Sequence, residues 1–303
     1  MTPTAPEHAD GAVEPAYEVS VVVPVYNPGL LLAEQLRALR QQDFDGTWEI
    51  VIADNGTTDG SLDDLSELAG GPPVRVVDAS GRQGPSHARN VGARGAAGRW
   101  LAFCDADDEA APSWLRELYA AKDTGDVVAG VYDVRRVNPS RLWSMRGPRE
   151  HWDGLPQGPC GFLPFANTGN MMVRRDLYLS LGGFDESLTS CEDVEFSWRA
   201  QLGGLVLSLA PDAVIGYRFR STAADTYRQM LSYTGAEALL YRRYRAVGAR
   251  RQSAATVVGR VWWVLSRSFY LLTDARRRFL WCAVAGSVIG RVRGSVRHRV
   301  VYL

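Results

Sequence analysis

From Val19 to Val25 the chain is an almost continuous β-branched run. A strand with no polar side must be covered on both faces, as in a parallel sheet flanked by helices. The residues that follow supply that arrangement. The run ends in a Tyr26-Asn27-Pro28-Gly29 turn, and Leu32, Leu36 and Leu39 then share one helical face. Trp48 to Ala53 is a second strand, cut off at Asp54-Asn55-Gly56, and Leu62, Leu65 and Leu68 mark a short helix. Val74 to Val77 is a third strand, and Ser86 to Ala97 a helix with Ser86 as its N-cap. Trp100 to Cys104 is a fourth, stopped by Asp105-Ala106-Asp107-Asp108. Four strands alternating with helices on short loops predict a doubly wound α/β sheet.

After a helix at Trp114 to Ala121 and a strand at Val127 to Val134 the rhythm weakens. Residues 135–168 are rich in Pro, Gly, Trp and Arg without a period, and loops of that length are uncommon unless they have a function. Met171 to Val173 is expected as a short strand, Asp193 to Leu202 as a helix, and Leu205 to Leu207 and Val214 to Tyr217 as two further strands. From about Ala223 the pattern is helical, with Val258, Val261, Trp262, Leu265, Phe269 and Leu272 on one apolar face. The expected organisation is a loose tail over 1–16, a catalytic domain over 17–221 and a basic amphipathic helical region over 222–303.

Charge divides the chain the same way. The 34 basic and 34 acidic residues cancel overall, yet residues 1–221 hold 19 basic and 31 acidic groups. Residues 222–303 hold 15 arginines against Asp225, Glu237 and Asp274. Three readings of that basic region stand: packing on the catalytic domain, contact with an anionic membrane surface, and nucleic acid. The last is set aside because no nucleic-acid motif accompanies the arginines.

Several chemistries are excluded. Lys122 is the only lysine and follows no glycine-rich loop, so there is no Walker A motif, and its Ala-Ala-Lys-Asp context does not suit a Schiff base. Cys104, Cys160, Cys191 and Cys282 are scattered, without zinc spacing, and are expected as reduced thiols; Cys191 beside Glu192 has no histidine partner to make it a nucleophile. The first turn lacks the Gly-x-Gly-x-x-Gly of a nicotinamide-dependent oxidoreductase. Phe279 to Gly290 gives about a dozen apolar residues against the roughly 20 a membrane span needs. The first ten residues have no basic region followed by an apolar run, so a cytoplasmic protein is expected, peripheral on the inner face of the membrane if the basic region meets lipid.

Ligands on open α/β sheets bind beyond the carboxyl ends of the strands. Asp54 and the Asp105–Asp108 cluster fall there, and Glu192-Asp193 opens a later helix. Carboxylates gathered at one rim call for a positive partner, and a hard divalent cation, Mg²⁺ or Mn²⁺, suits them.

In combination these segments resemble glycosyltransferase family 2. The resemblance rests on Val21-Val22-Val23-Pro24-Val25-Tyr26-Asn27, Ile52-Ala53-Asp54-Asn55-Gly56-Thr57-Thr58-Asp59-Gly60-Ser61, Gly84-Pro85-Ser86-His87-Ala88-Arg89-Asn90 and Phe103-Cys104-Asp105-Ala106-Asp107-Asp108. Gly182-Gly183-Phe184-Asp185-Glu186 and Glu192-Asp193 complete it, over roughly residues 18–220. It implies a GT-A fold, a Rossmann-like, mixed but mostly parallel sheet flanked by helices, here with a C-terminal helical extension. It also implies inverting, metal-dependent transfer of a sugar from a UDP-, dTDP- or GDP-linked donor to a glycan, lipid-linked or small-molecule acceptor. Pro24, Tyr26 and Asn27 would line the nucleotide base, Asp54 would accept a hydrogen bond from it, and Arg89 would lie near the nucleotide. Asp105 would contact the ribose and Asp107 the metal, Mn²⁺ or Mg²⁺. Asp193 would be the general base, with Glu192 its competitor.

The chain departs from the family pattern at Tyr217, where many members carry a metal-ligating histidine; Arg218 or Arg220 would then supplement the charge. Other positions keep two readings. His87 is a solvated polar group or a phosphate contact, His151 with Trp152 could face the acceptor, and Gly182-Gly183 serves a turn or a close approach to sugar. The rival functions are a nucleotidyltransferase and a non-catalytic sugar-nucleotide-binding or scaffold protein of the same fold.

Overall fold

A computed structural model describes residues 15–63, 65, 70–143 and 154–303. The helix expected over Leu62–Leu68 therefore lies largely outside the described residues, as do His151, Trp152 and most of the N-terminal tail.

The four N-terminal strands are β1 (Tyr17–Val25), β2 (Trp48–Asp54), β3 (Val74–Asp78) and β4 (Gly98–Cys104); β5 is the short Glu109–Ala110. They are joined by α1 (Leu31–Arg40) and α2 (Pro85–Gly95). Then come α3 (Trp114–Ala120), β6 (Val127–Asp133), α4 (Ser140–Trp143), β7 (Asn170–Arg174), α5 (Arg175–Ser180), α6 (Glu192–Leu202) and β8 (Leu207–Gly216). Three helices close the chain: α7 (Ala223–Tyr244), α8 (Ala254–Ser266) and α9 (Ala275–Arg297).

The eight strands form one sheet in the order β3-β2-β1-β4-β7-β6-β8-β5. β1 pairs in parallel with β2 and β4, and β2 with β3. β7 then enters antiparallel between β4 and β6, while β6 and β8 run parallel. The sheet is thus mixed and mostly parallel, as expected.

The β-branched run meets its requirement. Val19, Val21, Val23 and Val25 pack with Leu32, Leu36 and Leu39 on one face, while Val22 belongs to a second core with Phe103, Tyr178, Phe184 and Phe196 on the other. Two local expectations are corrected. The strands expected at Leu205–Leu207 and Val214–Tyr217 are one strand, β8, because Pro211-Asp212, which look like a turn, are absorbed by a register shift between Ala129 and Val131 of β6. The N-cap of α2 is Gly84, with Pro85 opening the helix, so Ser86 lies inside it and buried.

The C-terminal helices divide in behaviour. α7 and the chain end share a buried cluster with α6, in which Ala238, Leu240, Val300 and Tyr302 meet Val194 and Trp198. α7 and α9 approach closely because Gly286, Gly290 and Gly294 face α7; a Cβ on Gly290 would lie 2.1 Å from the Thr234 hydroxyl. Arg291 crosses this seam to Glu237 at 3.0 Å, and Tyr302 donates its hydroxyl to the same carboxylate. α8 behaves differently and buries no residue. The single apolar face expected over 258–272 is broken by a 3-10 turn at Ser268–Leu272, and Trp262 is 69% exposed and Leu272 91%. That face stays largely exposed, so the basic region packs on the catalytic domain through α7 and the chain end and not through the face expected over 258–272.

Candidate functional site

The site is assembled from turns at the carboxyl ends of β1, β2 and β4. After β1, Tyr26 and Asn27 are exposed and Pro24 half-buried. Asn27 takes a left-handed backbone (φ 48°) and accepts a hydrogen bond from the Thr58 amide at 2.8 Å, tying the first turn to the second. After β2, one oxygen of Asp54 accepts from the Gly56 and Thr57 amides at 3.0 and 2.8 Å. Its other oxygen has no partner among the described residues. Asn55 bonds the carbonyls of Ala79 and Arg82 and the amide of Gly84, fixing the approach to α2.

After β4, Asp105, Asp107 and Asp108 bring carboxylate oxygens within 4.8 Å of one another. Burial, then the charges of Asp105 and Asp107, push Asp108 well above the carboxylate range. Burial and Asp105 likewise raise Asp107, against the pull of Arg220. Asp108 accepts from the Arg218 amide at 2.8 Å, but its Oδ2 is buried without a partner. An orphaned buried oxygen inside a cluster of hard donors fits a divalent cation, with Asp105, Asp107 and Asp108 as the residues to hold it.

Arg89 on α2 joins this cluster to α6. It is 5% exposed and donates to Asp105 at 2.6 Å and to Glu192 at 2.8 Å. Burial alone would lower its pKa, but Asp105 and Glu192 outweigh it and hold the guanidinium above its ordinary value. Glu192 and Asp193 begin α6, whose N-cap, Cys191, is left-handed (φ 63°). Burial, reinforced by the neighbouring Glu192, pushes the Asp193 carboxyl up to about 7. The Cys191 thiol is also raised by burial and contacts the Tyr233 carbonyl, as a structural thiol does.

The remaining positions sort by their partners. Arg218 donates to the Asp107 carbonyl, the Val137 carbonyl and Glu34, so it staples the loop, while Arg220 pairs with the Asp107 carboxylate at 3.2 Å. Tyr217 stacks edge-on against Tyr132 and Phe219. His87 bonds Glu186 at 2.9 Å. Gly182 and Gly183 are left-handed turn residues, and a Cβ on Gly183 would lie 2.4 Å from the Asn90 side-chain oxygen, so packing accounts for it. Three contributors escaped sequence reasoning. Asp108 was visible in Asp-Ala-Asp-Asp but carried no role. Gln35, a polar residue on the leucine face of α1, donates to the Asp105 carbonyl and accepts from the Ala110 amide. Gly169 leaves room for Asp105, whose Oδ2 would be 2.8 Å from a Cβ there.

Known proteins resemble this chain in sequence and in fold. Glycosyltransferase AglE of Haloferax volcanii is 28% identical over 204 residues, 65% of this chain and 65% of AglE. Pre-mycofactocin glycosyltransferase of Mycobacterium tuberculosis is 27% identical over 248 residues, 78% of this chain and 49% of that protein. The chain thus spans between about half and two thirds of the length of these relatives. The mannosyltransferase PcManGT of Pyrobaculum calidifontis, solved with GDP-Man and Mn²⁺, superposes with a TM-score of 0.63 at 20% identity, over 94% of this chain and 89% of that one. S. aureus TarS 1-349 with UDP-GlcNAc gives 0.52 at 20%, over 93% and 92%. These structures share the expected GT-A architecture. The profile of glycosyl transferase family 2 matches residues 20–182, more than half of the 303 residues, and the chain belongs to that family.

Proposed function

We propose that the chain transfers a sugar, with inversion, from a nucleoside-diphosphate sugar to an acceptor hydroxyl. The observation that carries this reading is the Asp105–Arg89–Glu192 bridge, which couples the carboxylate rim to the helix bearing Asp193. In this reading Pro24, Tyr26 and Asn27 line the base, the spare oxygen of Asp54 accepts its hydrogen bond, and Asp105 contacts the ribose. Arg89 acts from behind, orienting Asp105 and Glu192. Asp193 takes the proton of the attacking hydroxyl; the Arg89 contact leaves Glu192 less able to do so. A divalent metal held by Asp107, with Asp105 and Asp108, would supply Lewis-acid stabilisation of the leaving diphosphate. Arg220, already paired with Asp107, adds positive charge where Tyr217 replaces the family histidine.

Calorimetric titration with UDP, GDP and dTDP tests the donor site. One diphosphate is expected to bind at least about tenfold more tightly with Mn²⁺ than without, a difference of about 1.4 kcal/mol, and Asp107→Asn should remove that difference. Binding of none of the three would sink the transferase reading.

We further propose that α8 and the turn after it rest on an anionic lipid surface. Residues 245–303 carry 12 arginines against Asp274 alone, and they frame an exposed face of Val258, Trp262, Leu265 and Phe269. Aromatic and aliphatic groups edged by arginine match the interface of an anionic bilayer. No described helix is long and apolar enough to cross a membrane. Cosedimentation with phosphatidylglycerol vesicles should fall by about tenfold or more in Trp262→Ser/Phe269→Ser, since each buried ring contributes about 1.5–3 kcal/mol. Unchanged vesicle binding, or self-association through the same residues in sedimentation equilibrium, would refute it.

A further inference from the structure

A cavity of about 630 Å³ opens beside Asp107 and Ser190, two residues before Glu192, and is closed by Arg220, Arg228, Ser232 and Tyr233. A second groove of about 710 Å³ runs along the seam of α7 and α9, beside Ser187, Leu188 and Thr189. Arg228 and Ser232 line both, so the two spaces are neighbours on α7, with the hydrogen-bonded hydroxyls of Ser190 and Ser232 beside the boundary. A molecule whose reactive end lies at the carboxylate rim would reach the groove by passing over the Ser190–Ser232 pair.

The lining of this groove is specific in chemistry. Leu231, Leu239 and Val292 give it an apolar floor. Its charged rim is Arg228, Arg293 and Arg297, beside His298, and no carboxylate lines it among the described residues. Arg228 leans on Asp225 at 2.7 Å outside the groove, while Arg293 and Arg297 have no acidic partner among the described residues. The local positive field registers on His298, lowered by burial and then by Arg297, Arg242 and Arg243. An apolar floor alone would admit any hydrophobe. Arginines without counter-charges favour a multivalent anion such as phosphate, which the guanidinium fork engages through paired hydrogen bonds.

We propose that the groove along the α7–α9 seam binds a phosphate carried on an apolar chain, as the distal part of the acceptor. The acceptor role rests on the transferase reading above; the binding chemistry stands on the groove itself. The phosphate lies against Arg293 and Arg297 and the chain on the leucine floor. The end to be glycosylated points past Ser232 toward the carboxylate rim.

The test titrates the full chain with decyl phosphate below its micelle concentration, and with decanol and inorganic phosphate as the apolar and anionic halves alone. Decyl phosphate is expected to bind at least about tenfold more tightly than either half. Arg293→Gln/Arg297→Gln should weaken it by about tenfold or more. Arg250→Gln/Arg251→Gln, which removes the same charge from exposed positions elsewhere, should leave it unchanged. Affinity for the nucleoside diphosphate, measured on each variant, reports that the fold is intact. Decyl phosphate binding no better than one of its halves, or equal weakening by both arginine pairs, would overturn the site. Tight decyl phosphate binding in a protein that takes no nucleoside diphosphate would overturn the acceptor role and leave the groove as a phosphate-lipid site.

Discussion

Asp193→Asn is expected to lower the rate of sugar transfer by about 10²–10⁴-fold, the usual contribution of a positioned general base, while nucleoside diphosphate affinity stays within a factor of about two. The substitution keeps the shape of the side chain and removes only its ability to accept a proton. The sign of the pH dependence follows from the raised carboxyl. Below about 7 Asp193 holds its proton and cannot accept another; as pH rises through that value it ionises, so transfer should climb to a plateau. Glu192→Gln removes the charge that opposes ionisation, so the rising limb should move to lower pH with transfer retained. Initial rates from pH 5 to 9, on the donor identified by titration, check all three statements. Retained transfer in Asp193→Asn, or its loss in Glu192→Gln alone, would hand the base role to Glu192.

Arg89→Met should be the most destabilising single substitution at the site. One buried guanidinium neutralises carboxylates from two distant segments, and its removal leaves Asp105 and Glu192 facing each other without a cation. Breaking a buried pair in this way typically costs about 3–5 kcal/mol. Urea unfolding should show that loss in the midpoint, and Arg89→Lys, which keeps the charge without the fork, should fall between the two. A methionine variant as stable as the parent and fully active would show that the bridge is incidental. Because Arg89 holds Asp105 directly and the start of α6 through Glu192, donor binding and transfer should fail together in this variant, in contrast to Asp193→Asn.

Local features were legible in the sequence; pairings across distance were not. The valine run from Val19, the leucines of α1 and the acidic stops after β2 and β4 each state their role within a few residues. Arg89 and Glu192 are 103 positions apart, and no periodicity links them. Cys191 as a left-handed cap is equally hidden, since its conformation is imposed by the packing of α6 rather than preferred by cysteine. β8 was misread because Pro211-Asp212 carry turn chemistry that the neighbouring strand accommodates. The α7–α9 seam could have been found, because Gly286, Gly290 and Gly294 recur every four residues on one helical face. The exposure of α8 is the opposite case: its periodicity correctly marks an apolar face but says nothing about what covers it.

The antiparallel entry of β7 between β4 and β6 has a consequence for the order in which the molecule can be made. The first four strands pair with one another through connections of a few tens of residues, and only the outer edge of β4 waits for a later strand, β7. The half proposed to grip the nucleotide thus rests on pairings within residues 17–104. The helix carrying Asp193 packs on a core that β7 helps to build beside β4, so it is seated after those strands, and α9 closes on α7 later still. In the proposed reading, donor recognition is therefore the local part of this protein, and turnover the long-range part.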